Sequence, residues 1–94
     1  MNITVSFELV IPNTFTPNND GTNDSWMVRN IEFHPESKVE IFNRWGTKLY
    51  ETAGYQNDWG GTYNGKNLPV DTYFYVIQFG DGTRPQKGPL TILR

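Results

Sequence analysis

A run of small polar residues from Thr16 to Asp24 carries oxygen atoms that could bind a cation. Asn and Asp precede Gly21 there, as in part of a calcium-binding loop. When Gly21 is aligned with the invariant glycine of that loop, the first ligand position falls on Thr16 and the last on Met27, so neither end carries a carboxylate. A weaker oxygen site stays open as an alternative, made by backbone carbonyls and the side chains of Asn18, Asp20 and Asp24.

The same segment has a second interpretation, as a rigid turn. Asn and Asp side chains accept hydrogen bonds from nearby backbone N–H groups, and Gly21 can take the positive φ that a turn requires. We favour the turn over the calcium site. The sequence therefore predicts no cofactor, with weakly bound calcium as the alternative.

Catalytic chemistry has little support in the chain. The single histidine, His34, precedes Pro35 in a predicted turn, so a Ser-His-Asp triad has no convincing base. Acidic residues are present, but no spacing directs two of them to one point, as a glycosidase needs. We predict that the protein is not an enzyme.

Four aromatic rings fall in or near predicted loops: Trp45, Tyr55, Trp59 and Tyr63. Exposed rings can stack on sugars, so a carbohydrate-binding or adhesin module is the alternative function. We favour packing of Trp45 and Trp59 on the core or at its rim, because a small chain without cysteine must gain its buried area from large side chains.

Strands rather than helices must position these residues. Apolar and polar residues alternate in most of the predicted strands, and residues 71–79 carry apolar residues on both faces, as a central strand does. The predicted strands include residues 3–9, 26–31, 38–42, 47–51, 71–79 and 90–93. About seven short strands predict an all-β fold, an immunoglobulin-like β-sandwich formed by residues 1–94 as one domain.

Tyr73 adds a specific expectation to that fold. It lies near the start of the segment 71–79, where immunoglobulin-like domains have a corner tyrosine whose hydroxyl bonds back to the preceding loop. Tyr75 then takes the position of the second cysteine of antibody domains, and ring packing replaces the disulfide.

The composition excludes several classes of protein. A net charge of −2 gives no electrostatic reason to bind nucleic acid or an anionic membrane, and no apolar run approaches the length of a membrane span. Residues 1–10 lack the basic and apolar regions of a signal peptide, so an export address lies upstream or within the domain.

Several motifs follow one another in a recognisable order: residues 11–24 (IPNTFTPNNDGTND), 41–46 (IFNRWG), 59–62 (WGGT), 68–76 (LPVDTYFYV) and the closing strand to Arg94. Together they resemble the gliding-motility-associated C-terminal domain, the type B sorting domain of type IX secretion in Bacteroidota. Gly60 and Asp71 depart from the residues that this family often has there, which bears only on the local turn geometry.

The resemblance implies a non-enzymatic domain at the C terminus of a larger passenger, with residues 1–10 as the strand that leads in from it. It implies recognition by the type IX translocon and a porin-like outer-membrane barrel partner. Export then passes through the periplasm and outer membrane to the cell surface or the medium. We expect no nucleic-acid partner, no direct membrane insertion and a monomeric isolated domain.

Two surfaces are the predicted contacts with that machinery. One is the loop 16–24, whose internal hydrogen bonds lower the ordering cost of binding. The other is the strand 88–94, whose open edge could pair with a partner strand. Arg44 is a third candidate, although a structural clamp on loop carbonyls is its favoured role. The predicted contact residues are Thr16, Asn18, Asp20, Asp24, Arg44, Gly88, Leu90, Ile92 and Arg94.

Overall fold

The computed structural model describes residues 9–18, 21, 24–80 and 84–94. Its regular structure is almost entirely β, with one short 3-10 helix at Ile31–Phe33. The described strands are β1 (Thr14–Phe15), β2 (Lys38–Phe42), β3 (Lys48–Ala53), β4 (Thr62–Tyr63), β5 (Lys66–Asn67), β6 (Asp71–Gln78) and β7 (Gln86–Ile92). The predicted all-β class is confirmed. No helix in these residues has the length and apolar character that a membrane crossing requires.

Five strands form one sheet in the order β1-β7-β6-β2-β3, and β4 and β5 form a separate hairpin. The pairs within the large sheet are antiparallel, except that β1 runs parallel to β7. β6 has β2 on one side and β7 on the other, so it is a central strand of the sheet. The central position predicted for this segment is confirmed.

One face of the sheet and the segments that connect the strands enclose the core, an arrangement consistent with an all-β sandwich. The sheet contributes Val39, Ile41, Tyr73, Ile77, Leu90 and Ile92. The facing layer and β1 contribute Phe15, Trp26, Val28, Ile31, Tyr55 and Trp59. Inside the facing layer, Val10 bridges to Arg29, and the N–H of Trp26 donates to the carbonyl of Trp59 at 3.0 Å.

Aromatic rings link the two layers in a continuous series, which we call the ring chain: Phe15, Trp59, Tyr50, Tyr55, Trp26 and Tyr75. Successive ring centroids lie between 5.4 and 6.2 Å apart. Such contacts contribute about 0.5–1.5 kcal/mol each beyond area burial. The contact of Tyr75 with Trp26 confirms that ring packing occupies this part of the core.

The tyrosine corner is also confirmed. The Tyr73 hydroxyl donates to the carbonyl oxygen of Pro69 at 2.8 Å, across the turn that leads into β6. Burial, followed by the charge of Asp71, raises the pKa of Tyr73, so the hydroxyl stays protonated and remains a donor at neutral pH. This bond fixes where β6 begins.

Two of the predicted strands need comment. Residues 26–31 do not form a strand, because the N–H of Val28 donates to the Asn57 side-chain oxygen at 2.8 Å and that of Trp26 to Trp59. Only Arg29 makes a bridge, and Asn30, at φ 71°, then leads into the 3-10 helix. The predicted strand 3–9 lies outside the described residues except for its last position.

The closing strand begins at Gln86, earlier than predicted. In β7 the N–H groups of Thr91 and Leu93 point toward the β1 side, where they donate to Asn13 and Phe15. Pro89 is two residues before Thr91, and alternate residues of a strand direct their N–H groups to the same side. The missing N–H of Pro89 would therefore point away from β6. β1 pairs with β7 at Thr91 and Ile92, so Pro89 lies beyond the part of that side that β1 covers.

The Tyr55 hydroxyl generates a first prediction. It donates to the carbonyl of Trp26 at 2.5 Å and accepts from the N–H of Trp59 at 3.1 Å, inside the core. Tyr55→Phe leaves both backbone groups unpaired, so we expect the free energy of unfolding to fall by about 1–3 kcal/mol. Urea unfolding followed by circular dichroism measures this.

Tyr63→Phe is the matched control, because the Tyr63 side chain is exposed and the described residues give its hydroxyl no such pair of partners. The control should stay within about 0.5 kcal/mol of the parent. Equal effects of the two substitutions would contradict a bridging role for the Tyr55 hydroxyl.

Candidate functional site

One end of the sheet brings together residues that lie far apart in the sequence. β6 begins there at Asp71, which pairs with Ile92 of β7, and Phe15 pairs with Ile92 from the other side. The β2–β3 turn reaches the same end, because Nη2 of Arg44 lies 3.2 Å from Oδ2 of Asp71. We call this region the loop end and define it by residues 16–18, 21, 24, 43–47, 60–61, 68–71 and 93–94.

The side chain of Arg94 ties three loops of this region together. Its Nε and Nη2 donate to the carbonyl of Leu68 at 3.0 and 2.8 Å, Nη1 donates to Pro17 at 2.8 Å, and Nη2 also donates to Gly61 at 3.1 Å. Four bonds from a planar fork with five N–H groups fix the relative positions of the three carbonyls. The loop 16–24 and the end of β7, predicted as two separate surfaces, are therefore contiguous.

Arg44 has a different role from the clamp predicted for it. Its guanidinium pairs with Asp71 and lies with its central carbon 4.7 Å from the centroid of the Trp45 ring. The clamp on loop carbonyls is instead formed by Arg94. The sequence alone cannot distinguish the two arginines, because each has a guanidinium that can donate to carbonyl oxygens. The folded positions of the three loops bring their carbonyls to Arg94.

Gly61 makes the clamp sterically possible. Its φ is +74°, and a Cβ atom there would lie 3.3 Å from side-chain carbons of Phe15 and Ile92 and 3.4 Å from Pro17. Because a side chain at this position would be strained and crowded, glycine lets the 60–61 backbone approach β1 and β7. Its carbonyl then comes within reach of Arg94.

The described part of the polar loop behaves as a rigid turn. The Asp24 carboxylate accepts the N–H of Asn18 at 3.2 Å through Oδ1 and the N–H of Gly21 at 2.8 Å through Oδ2. Gly21 takes the positive φ, 82°, that its type suggested. Asp20, the third member of the predicted calcium set, lies outside the described residues. Within the described residues, no three His, Cys, Asp or Glu side chains group as metal ligands would.

The closing strand gives less open edge than the sequence suggested. The side chains of Leu90 and Ile92 are completely buried, and β1 pairs with β7 at Thr91 and Ile92. The expected open edge is therefore wrong for these residues, because a two-residue strand from the loop side covers it. At Gly88, a Cβ atom would lie 2.6 Å from the Tyr75 hydroxyl oxygen, so this glycine accommodates a ring.

The two candidate tryptophans differ. Trp59 is 4% exposed and donates through Nε1 to the carbonyl of Thr62 at 3.1 Å, as its predicted core position requires. Trp45 is 76% exposed, so its predicted core position is wrong. Because Trp59 is inside the core, a stacking platform of Trp45, Trp59 and Tyr63 is not formed.

Two exposed apolar residues of the loop end were missed in the sequence. Val70 precedes Asp71 and is 56% exposed, and Leu93 follows Ile92 and is 44% exposed. The register that pairs Asp71 with Ile92 brings Val70 and Leu93 to the same end. The signal was present, since each is an apolar residue at the very boundary of a predicted strand.

The opposite edge of the sheet is protected by charge. Glu51 on β3 is ion-paired with Lys48 and with Lys38, the latter at 2.9 Å. Hydrogen bonds from Lys48 and then Lys38 lower the pKa of Glu51 to about 2. Charged side chains on an edge strand discourage pairing with another chain, so this edge is a poor candidate for strand addition.

The fold and the loop end define a β-sandwich domain that presents a fixed surface made by several loops. The sequence profile of the CHU_C type IX secretion signal domain matches residues 9–92, and the chain belongs to this family. A domain of this family implies export to the cell surface or the medium and interaction with the secretion machinery.

A solved structure is similar in fold. It contains PorZ, described as an essential bacterial surface component of the type IX secretion system of Porphyromonas gingivalis. The superposition has a TM-score of 0.68 at 16% identity and covers 93% of this chain but 11% of that one. At this identity the likeness concerns the fold alone. No curated protein matches the chain.

The Arg94 clamp generates the second prediction. Arg94→Ala removes four hydrogen bonds, but the freed carbonyls lie near the surface and can bind water, so we expect a loss of about 1–2 kcal/mol in the free energy of unfolding. Arg94→Lys should recover little, because an ammonium group cannot span three separate carbonyls. Urea unfolding measures both variants.

Arg84→Ala removes an exposed arginine and should leave the stability within about 0.5 kcal/mol of the parent. If Arg94→Lys matched the parent, a single positive charge rather than the guanidinium fork would hold the loops.

Proposed function

We propose that this domain is a folded, non-enzymatic sorting signal at the C terminus of a larger passenger protein. The type IX translocon reads the loop end by protein–protein contact, and a porin-like outer-membrane barrel takes part in recognition. The passenger then crosses the outer membrane from the periplasm to the cell surface or the medium.

The observation that carries this proposal is the Arg94 clamp. It joins residues 17, 61 and 68, from three parts of the chain, into one surface. A surface whose shape is fixed before binding loses less conformational entropy when a partner docks. A translocon can therefore recognise the folded domain itself rather than a linear peptide.

We propose further that recognition needs neither a cofactor nor a reaction. Both oxygens of Asp24 already accept backbone N–H groups, which supports a self-sufficient turn. The His34 ring packs edge-on against Phe79, 5.2 Å between centroids, near the end of the sheet where β6 finishes. The histidine is therefore remote from the loop end, which lies where β6 begins at Asp71.

An export assay tests the proposal. Residues 1–94 are fused to the C terminus of a fluorescent reporter that carries a signal for crossing the inner membrane, in a bacterium with a type IX system. We expect the reporter at the surface or in the medium, and in the periplasm when the translocon is deleted. Periplasmic retention in both hosts would overturn the proposed function.

Deletion of residues 90–94 is a poor probe, because Leu90 and Ile92 are core residues and their loss would unfold the domain. A surface substitution is sharper. Val70 and Val10 are each 56% exposed, but only Val70 belongs to the loop end. We expect Val70→Lys to reduce export by about tenfold and Val10→Lys by less than about twofold. Equal export of the two variants would contradict reading at the loop end.

A further inference from the structure

We propose that Trp45 is the anchor of the protein interface at the loop end. Its partner is a folded protein that receives the indole in an apolar pocket and carries a carboxylate at the rim of that pocket. The inference rests on the proposed sorting function and names the residue and the partner chemistry through which the surface is read.

The exposure of Trp45 has no explanation in the turn that carries it. The Asn43 side-chain oxygen accepts the N–H groups of Trp45 and Thr47 at 3.0 and 2.9 Å, and the N–H of Gly46 donates to the Asn43 carbonyl at 3.0 Å. Gly46 supplies the positive φ, 83°. Asn43 and Gly46 thus fix the turn, and nothing in it requires an indole at position 45.

Arg44 prepares the indole for binding. Its guanidinium is held by Asp71 at 3.2 Å and stacks 4.7 Å from the centroid of the Trp45 ring. One face of the indole is therefore supported, and the ring stays 76% exposed. A side chain held in place on a rigid turn loses little entropy on binding, and Trp and Arg are the residue types most enriched at binding hot spots.

The surroundings favour a protein partner over a sugar. Val70 and Leu93 are exposed apolar neighbours at the same end, suited to an apolar pocket wall. The carboxylate of Asp71 is already paired with Arg44 of this turn, which leaves it less able to accept bonds from sugar hydroxyl groups. The loop end therefore carries an exposed aromatic ring together with exposed aliphatic side chains.

Charge indicates the chemistry of the pocket rim. The described residues give Arg94 four bonds to neutral carbonyl oxygens and no carboxylate. Arg44 pairs with Asp71 through one nitrogen, Nη2, so its guanidinium has further N–H groups that can donate to a second acceptor. A carboxylate of the partner could accept from these guanidinium groups, which explains the choice of an acidic rim.

The export assay described above tests the anchor with Trp45→Ala in the full reporter fusion. We expect surface delivery to fall by about tenfold or more, because hot-spot truncations have effects of at least this size. Phe33→Ala is the control, since it also removes an exposed ring but lies before β2, at the other end of the sheet, and should change export by less than about twofold. Urea unfolding of both variants shows whether each remains folded.

The outcomes separate the two levels of the proposal. If the wild-type fusion fails to leave the periplasm, the sorting function itself is wrong. A different pattern would overturn the inference alone: export of the wild type, a block in Val70→Lys, and normal export of folded Trp45→Ala. This pattern would mean that the loop end is read without Trp45 as its anchor. Should Trp45→Ala prove unstable, Trp45→Lys is a second variant that removes the ring from the same turn.

Fluorescence distinguishes a protein pocket from a lipid surface. Trp26 and Trp59 are buried, so acrylamide should quench mainly Trp45. Vesicles of phosphatidylethanolamine and phosphatidylglycerol should neither shift the emission nor protect it from quenching. A blue shift of the emission with vesicles, abolished by Trp45→Ala, would overturn the inference in favour of a membrane anchor. In a separate titration, a saturable shift with polysaccharide would overturn it in favour of a sugar site.

Discussion

The hydroxyl of Tyr55 is the interaction that holds the facing layer together, and the Tyr55 ring joins that layer to the sheet through Tyr50. A chain of 94 residues without cysteine has no disulfide between its layers, and a single small core leaves little margin of stability. The hydroxyl connects the backbone of Trp26 with that of Trp59, while its own ring contacts Trp26 and Tyr50. Burial raises its pKa, so it keeps its proton and both hydrogen bonds at any physiological pH.

The ring chain also determines where two loops of the loop end lie. Trp26 donates through Nε1 to the Pro12 carbonyl at 2.9 Å, which directs the chain into β1 and then into the polar loop. Trp59 contacts Phe15 and is followed directly by the close approach at Gly61. Two of the three loops held by Arg94 are thus positioned by aromatic residues of the core, so the surface and the core are parts of one packing arrangement.

The sequence predicted the elements that depend on a regular alternation of buried and exposed residues, or on hydrogen bonds between residues close together in the chain. Alternation identified β2, β3 and β6, and the tyrosine corner needed only four residues of separation between Tyr73 and Pro69. The Asn64-Gly65 pair, both at positive φ, forms the β4–β5 turn, and an Asn-Gly pair is a sequence signal for such a hairpin although no hairpin was predicted there. By contrast, β1 forms only because β7 lies beside it, and no pattern within Thr14–Phe15 reveals that distant partner.

The two arginines explain why the candidate site was harder to predict than the fold. Arg44 belongs to the motif 41–46 and lies in a predicted turn, so the sequence favoured it as the clamp. The clamp requires three carbonyls from different loops to meet within one guanidinium fork, and among the described arginines it is Arg94 that lies where they meet. Arg44 then orients the exposed ring of Trp45, whose position on a rigid turn contributes nothing to the core. The loop end is built by the three-dimensional convergence of short loops, and the aromatic core positions two of the loops that converge there.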